Sequence, residues 1–398
     1  MTSRERVLVA MRNGVPDRVP AAPDISTYIP MRHSGCTLKD FWTGTKTGVP
    51  HWQAYLEAAD DYGLDAWTAP VFGLPLIYED APVEWQHHSR VDPARDVLVT
   101  TTVVRTPAGD LNQETVCYRG DQALATVKLI KDLATDFAKF KYTQPLPRAL
   151  DLPVLETCRQ ACHQRGHAYG VTIGYPGFQS WNSYVHGGVA TLAYALQDAP
   201  EVLQEWFEWD LQRGTRAMEL ALDARLDYIL FGGSGTITMA SPALAARYAI
   251  PALKQWSAMA RAADVPTMLH SCGKTRALAD LLVADTDVGM LNPVEPPPMG
   301  DVDLAELKQA HGRRLALMGN LHTTDVMLRG SVQDVRRESL KAIRAAGAEG
   351  GFILSTGDQC GRDTPDENLR EMVRVAEGFG AYPLDFAAID REIGRLGG

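Results

Sequence analysis

Eight times along this chain of 398 residues, a short run rich in β-branched and apolar residues ends on Gly, Pro or a polar side chain and gives way to a stretch of helical period. The runs are Arg18–Ile25, Leu64–Val71, Tyr169–Tyr175, Leu226–Phe231, Pro266–Ser271, Val288–Pro293, Leu315–Met318 and Gly351–Ser355. The stretches between them include Pro200–Ala224 and Val332–Ala346, each long enough for an amphipathic helix. A strand that must run parallel to the last one needs a crossover, and a helix is the usual crossover. Eight such units in a row predict an α/β fold in which the strands close into a (β/α)8 TIM barrel.

Two segments fall outside the alternation. Thr2 and Glu5 form a capping-box pattern ahead of Val7, Leu8 and Met11, which predicts a short N-terminal helix stopped at Gly14 and Pro16. Asp96–Arg105 and Asn112–Tyr118 flank the turn-forming run 106–110 and predict a β-hairpin inserted at about 84–120. No repeat or low-complexity linker divides the chain, so one elaborated barrel domain over 1–398 is expected.

Composition narrows the function classes. Lys and Arg total 39 against 49 Asp and Glu, a formal charge of −10. Without a basic cluster, phosphate backbones have nothing to neutralise them, which argues against nucleic acid as a partner. The charged N-terminus lacks the apolar core of a signal peptide, and no run reaches the eighteen or so apolar residues of a membrane span. Six scattered cysteines do not make a disulfide framework in a chain this long. A cytoplasmic protein with reduced thiols is expected.

The chemistry concentrates at His270-Ser271-Cys272-Gly273, the end of the fifth predicted strand. Alternate residues of an extended stretch face the same way, so His270 and Cys272 can converge on one ion. Cys360 follows the eighth predicted strand, and barrels gather their functional side chains at the C-terminal ends of the strands. One nitrogen and two sulfur donors with an open fourth position describe a catalytic Zn2+. The plainer alternative is that His270 and Cys272 are packed core residues and Cys360 an inert loop thiol. Two other strings are weaker. Cys158, Cys162, His163 and His167 share a predicted helix ahead of the third strand, away from the mouth, and Gly273-Lys274-Thr275 lacks the upstream glycine of a phosphate loop, with Met268 in its place.

From Asp17-Arg18-Val19-Pro20 to the last helix, the chain resembles the uroporphyrinogen decarboxylase superfamily, and within it the zinc-dependent, corrinoid-linked methyltransferases, a group that includes the methylcobamide:coenzyme M enzymes. The resemblance is carried by that N-terminal string, by Thr106-Pro107-Ala108-Gly109, by His270-Ser271-Cys272-Gly273, by Met318-Gly319-Asn320, and by Gly350-Gly351-Phe352-Ile353-Leu354-Ser355 through Cys360 to Thr364-Pro365-Asp366-Glu367-Asn368. It implies zinc held by His270, Cys272 and Cys360. It also implies methyl transfer to or from a corrinoid (cobalamin) on a separate corrinoid-binding protein, as the demethylase component of a one-carbon system. A small-molecule methyl donor or acceptor, a thiol or tetrahydrofolate completes the reaction, and a homodimer is left open. The alternative within the superfamily is a metal-free, decarboxylase-like lyase acting on a carboxylated substrate. The decarboxylases grip the porphyrin carboxylates with an Arg-rich loop, whereas Met31-Arg32-His33-Ser34-Gly35-Cys36 keeps one arginine and has Cys36 where a second is expected.

Around the metal ligands, position at a strand end nominates further residues. Glu295, Asp358 and Asn320 are the candidates for catalysis, Glu295 first and Asp358 second as an exchangeable fourth ligand. Asp24, Tyr28, Tyr175, Gln179, Asn182, Ser234 and Thr236 are the candidates for shaping a substrate pocket.

Overall fold

The structure, a computed structural model, describes residues 1–43 and 49–397. In chain order its strands are β1 (Leu76–Tyr78), β2 (Glu84–Asp92), β3 (Val97–Thr106), β4 (Gly109–Tyr118), β5 (Leu124–Val127), β6 (Pro147–Leu150), β7 (Gly170–Gly174), β8 (Tyr228–Gly232), β9 (Thr267–His270), β10 (Met290–Asn292), β11 (Ala316–Leu321) and β12 (Phe352–Thr356). Strands β7 to β12 pair in sequence order, and all five ladders are parallel. The helices Pro200–Asp223 and Val332–Ala346 are among those that connect them, at the places the helical period predicts.

The first two expected strands do not form ladders. Arg18–Ile25 and Leu64–Val71 carry prolines and a short 3-10 turn at Ala69–Val71, so they meet their neighbours through isolated bridges instead. Ala21 bridges Leu354 on β12, and Trp67 bridges Ala168 just ahead of β7. The amide of Asp65 donates to Ala21 O at 2.8 Å, which joins the two segments to each other. The barrel is thus an arc of six laddered strands whose remaining sector is bridged point by point.

A buried ion network fastens that sector. Asp65, with 2% of its side chain exposed, accepts from Arg6 Nη1 at 2.6 Å, from Arg18 Nη1 at 2.8 Å and from the Ala21 amide at 2.9 Å. Arg6 belongs to the N-terminal helix Ser3–Met11, which opens on the expected Thr2–Glu5 capping box. Val7, Ala10 and Met11 of that helix pack with Met268, Met290, Ala316, Met318 and Ile353 from the barrel strands. The helix therefore plugs one end of the barrel and leaves the C-terminal strand ends as the open face.

The inserted hairpin is part of a larger sheet. β2, β3, β4 and β5 form a four-stranded antiparallel sheet, with Val97 to Thr106 paired against Tyr118 to Gly109. The added strand β2 is exposed along nearly its whole length, so it lacks the apolar alternation that marks a strand in a sequence.

The helix that holds Cys158, Cys162 and His163, Leu152–Gln164, lies ahead of β7 as expected. Burial pushes the Cys162 thiol up to about 12, His163 Nε2 meets Asp227 at 2.8 Å, and His167 Nε2 meets Asp60 at 2.9 Å. These are packing and ion-pair contacts. No helix among the described residues is long and apolar enough to cross a membrane.

Candidate functional site

β9 ends at His270 and its register sets His270 beside Asn292, the last residue of β10. The two side chains meet, with His270 Nδ1 and Asn292 Oδ1 2.7 Å apart, while Asn292 Nδ2 donates to Met318 O at 3.5 Å. That assigns the Asn292 oxygen to the imidazole, so Nδ1 carries a proton and Nε2 faces the mouth. Trp67 stacks on the ring, centroids 6.2 Å apart and planes at 27°. On the mouth side, Asp358 Oδ1 stands 3.9 Å from His270 Nε2. Burial works against a charged ring here, yet the hydrogen bond with Cys272, then Asp358, Asp24 and Asn292, lift the His270 pKa to about 9.

Cys272 follows with its sulfur 2.9 Å from Ser234 Oγ, from the loop after β8. Between the two, Ser271 points into the protein, fully buried, and donates to Thr236 Oγ1 at 3.0 Å; the Tyr175 hydroxyl reaches the same oxygen at 2.6 Å. Gly273 turns the chain with φ 80°, and a side chain there would run into Thr238. Its amide donates to Glu295, a carboxylate only 4% exposed. Burial raises the Glu295 pKa against that hydrogen bond, and Asp358 adds to the rise. The loop is thus pinned on both flanks, to the β8 loop and to the β10 loop.

Glu295 is delivered by Val294, a β-branched residue held at φ 51°, in the left-handed region that such side chains avoid. Asn320 Nδ2 donates to Val294 O at 3.1 Å, and Gly319 lets the end of β11 approach Pro293 O so closely that any side chain would collide with it. Asn320 supports the Glu295 turn rather than facing the imidazole.

Cys360 is fully buried on the other flank. Its amide donates to Asp24 O at 2.8 Å, and Gln359 Nε2 reaches Ser26 Oγ at 2.8 Å and Thr27 Oγ1 at 2.6 Å. Burial, then the neighbouring Asp24, pushes the Cys360 thiol well above its ordinary value. Burial likewise raises Asp24, whose carboxylate also feels Asp358 and His270. Asp24 and Asp358 are therefore felt by both the imidazole and this second thiol. Among the described residues no group of three or more His, Cys, Asp and Glu is arranged to hold a metal ion. The structure brings His270 and Cys272 together and leaves Cys360 apart from them.

Of the pocket candidates, Asp24, Tyr175, Ser234 and Thr236 join this neighbourhood. Tyr28 is tied to Asp121 at 2.9 Å, Gln179 folds back onto Tyr175 O and Pro176 O, and Asn182 O is held by Lys128. The structure does not bring these three to the His270–Cys272 pair. Asn292 and Trp67 are the functional neighbours that position alone did not nominate. Asn292 was legible in part, as a polar residue at the end of a strand next to His270.

The model of the uroporphyrinogen decarboxylase (URO-D) family matches residues 188–379, just under half of the chain. Over that segment the chain is similar to the URO-D family. The matched segment spans β8 to β12 and contains His270, Cys272, Asn292, Glu295 and Cys360. Among solved structures, a methyltransferase from Methanosarcina mazei matches with a TM-score of 0.63 at 17% identity, over 95% of this chain and 99% of that one. That likeness shows a shared TIM-barrel fold over almost the whole chain. A 3-keto-D-glucoside 4-epimerase from E. coli follows at TM-score 0.35 and 10% identity, covering 62% of this chain and 94% of its own. A D-psicose 3-epimerase from Clostridium cellulolyticum H10 matches at 0.33 and 12%, covering 62% and 83%. Those two carry no argument. A comparison with curated proteins found no match.

Proposed function

We propose that this chain is a zinc-dependent methyltransferase. It moves a methyl group between a small methylated substrate, or a thiol or tetrahydrofolate acceptor, and a corrinoid carried by a separate protein, and it serves as the demethylase component. The observation that carries the reading is the His270–Cys272 pair at the barrel mouth, with the imidazole held by Asn292 so that Nε2 faces the mouth. The fold shared with a methyltransferase is consistent with it.

The donors suit zinc in kind, one imidazole nitrogen and thiol sulfur, and two of the three stand ready. Cys360 is the third in this proposal. When bound, zinc supplies a Lewis acid and keeps thiols ionised at neutral pH. The protein does the rest. Asn292 and Trp67 hold the ring, the Ser234 hydroxyl bonds to the Cys272 sulfur, Glu295 fixes the loop through Gly273, and Asp358 Oδ1 faces the mouth where it can take the proton of an incoming thiol. The lyase alternative requires a cluster of free cations for the substrate carboxylates. Its one arginine, Arg32, is spent on Arg362 O at 2.7 Å, Thr364 O at 2.8 Å and the Asp366 carboxylate.

Elemental analysis of the purified protein is expected to find about one zinc per chain. Less than about half a zinc, unchanged in Cys272→Ala, would sink the reading. Mixing the protein with a reduced corrinoid carrier and a panel of methyl donors then identifies the donor by loss of the cob(I)alamin absorbance. Asn292→Ala should leave the fold intact and weaken zinc binding by roughly 10- to 100-fold in chelator competition, the usual effect of losing the group that orients a ligating histidine.

A further inference from the structure

A polar chamber lies beside the barrel, with neither His270 nor Cys272 in its lining. It has a volume of about 390 Å3 and lies between the end of β7, the turn at Gly73–Leu74 ahead of β1, and the helix Pro200–Asp223. That size suits a small organic ligand. One wall is aromatic: Phe140, Tyr184 and Trp206 line it, with ring centroids 4.9 Å apart for Phe140–Tyr184 and 5.3 Å for Phe140–Trp206. Asp210 and Arg213, one turn apart on the helix, supply the charges.

Asp210 is a half-buried carboxylate and is only partly neutralised. Its Oδ2 accepts from Trp181 Nε1 at 2.8 Å, but Oδ1 stands 3.7 Å from Arg213 Nη1, too far for a hydrogen bond. Arg213 is held instead by its Nε, which donates to Pro145 O at 3.2 Å. The two opposite charges therefore line one chamber without closing on each other. A carboxylate set among aromatic rings attracts an ammonium group, and a guanidinium attracts a carboxylate. At Gly73 and Gly174, which line the chamber, an added side-chain carbon would meet nothing within 4 Å, so the rim is open.

We propose that this chamber binds a small zwitterion, an amino acid or a betaine, with its ammonium against Asp210 and the rings and its carboxylate against Arg213. Burial pushes the Asp210 pKa up to about 6 against the Trp181 hydrogen bond, as befits a carboxylate awaiting a cation. The site is separate from the His270–Cys272 pair and does not depend on the methyltransferase reading. It is close to that pair in bonding, however. Tyr175 lines the chamber, and its hydroxyl holds Thr236, which also accepts from Ser271.

Isothermal titration of the full chain with trimethylglycine and with a panel of free amino acids tests the proposal. At least one zwitterion should bind with a stoichiometry of about one. Asp210→Asn, which keeps an acceptor for Trp181, should weaken it about tenfold or more, the cost of a lost charge-assisted contact. Gly73→Val fills the open rim without touching either charge and should weaken it as well, and circular dichroism checks that both variants fold. Tetramethylammonium or acetate alone should bind far more weakly. The proposal is overturned if no zwitterion binds at millimolar concentration, if binding survives both substitutions, or if either half-molecule binds as tightly as the whole.

Discussion

Cys272→Ala is expected to abolish tight zinc binding and to cut methyl transfer to or from the corrinoid carrier by more than about a hundredfold. The sulfur stands beside the His270 imidazole and bonds to Ser234, so its loss removes the one thiol paired with that ring. Far-ultraviolet circular dichroism should be unchanged, because Cys272 is only partly buried and belongs to no strand or helix. Ser234→Ala is the control, since it removes a bond to the sulfur and leaves the sulfur in place; its zinc content should stay near that of the parent. A Cys272→Ala protein that keeps its zinc and its rate removes the whole reading. Metal uptake also has a predicted pH sign. His270 holds its proton up to about pH 9 in the metal-free protein, and zinc must displace it. Affinity should therefore rise with pH and fall by about tenfold per unit of acidification for each proton displaced. The linked effect on the metal-free fold runs the other way. A raised histidine pKa adds stability below about pH 6.5, the unfolded value, and that stability is lost as the pH climbs through about 9.

Asp65→Ala should destabilise the protein by about 3–5 kcal/mol, the cost of removing one member of a buried, hydrogen-bonded ion network. Asp65 receives two arginines and a backbone amide at once. Its loss leaves Arg18 without a carboxylate and strips Arg6 of one of two, since Asp17 still holds Arg6 through Nε at 2.7 Å. Asp65→Asn keeps an acceptor and should fall between the two. Urea denaturation followed by tryptophan fluorescence measures it, and a midpoint within about 1 kcal/mol of the parent would show that the network only decorates a joint held by packing.

The parts of the molecule that were legible before the structure are those where apolar period and burial coincide. β7 to β12 are buried on both faces and read as dense apolar runs. The capping box at Thr2 and Glu5 is a purely local pattern, so it was readable as well. Arg18–Ile25 and Leu64–Val71 look like strands because they are just as apolar, but their prolines and the 3-10 turn prevent ladders, a constraint that depends on the neighbours' register. β2 escaped because its residues face solvent. At the site, His270 and Cys272 are two residues apart and their meeting follows from strand geometry. The Asn292 contact depends on the register of β9 against β10, and the place of Cys360 depends on Gln359, Ser26, Thr27 and Asp24. These are long-range facts that spacing does not encode. Gln179 shows that a polar residue at a strand end can also serve its own turn.

The uneven closure of the barrel has a mechanical consequence. His270 and Cys272 ride on the laddered arc, the stiff part of the ring, whereas the Cys360 amide is moored to Asp24 on a segment held by single bridges. The ring is thus laddered along its back, where Cys272 sits, and held by fewer bonds in the sector that moors the Cys360 amide. Amide hydrogen exchange should map this difference directly, fast at Ala22 and Asp65 and slow along β8 to β11, with zinc slowing the bridged sector and leaving the back unchanged.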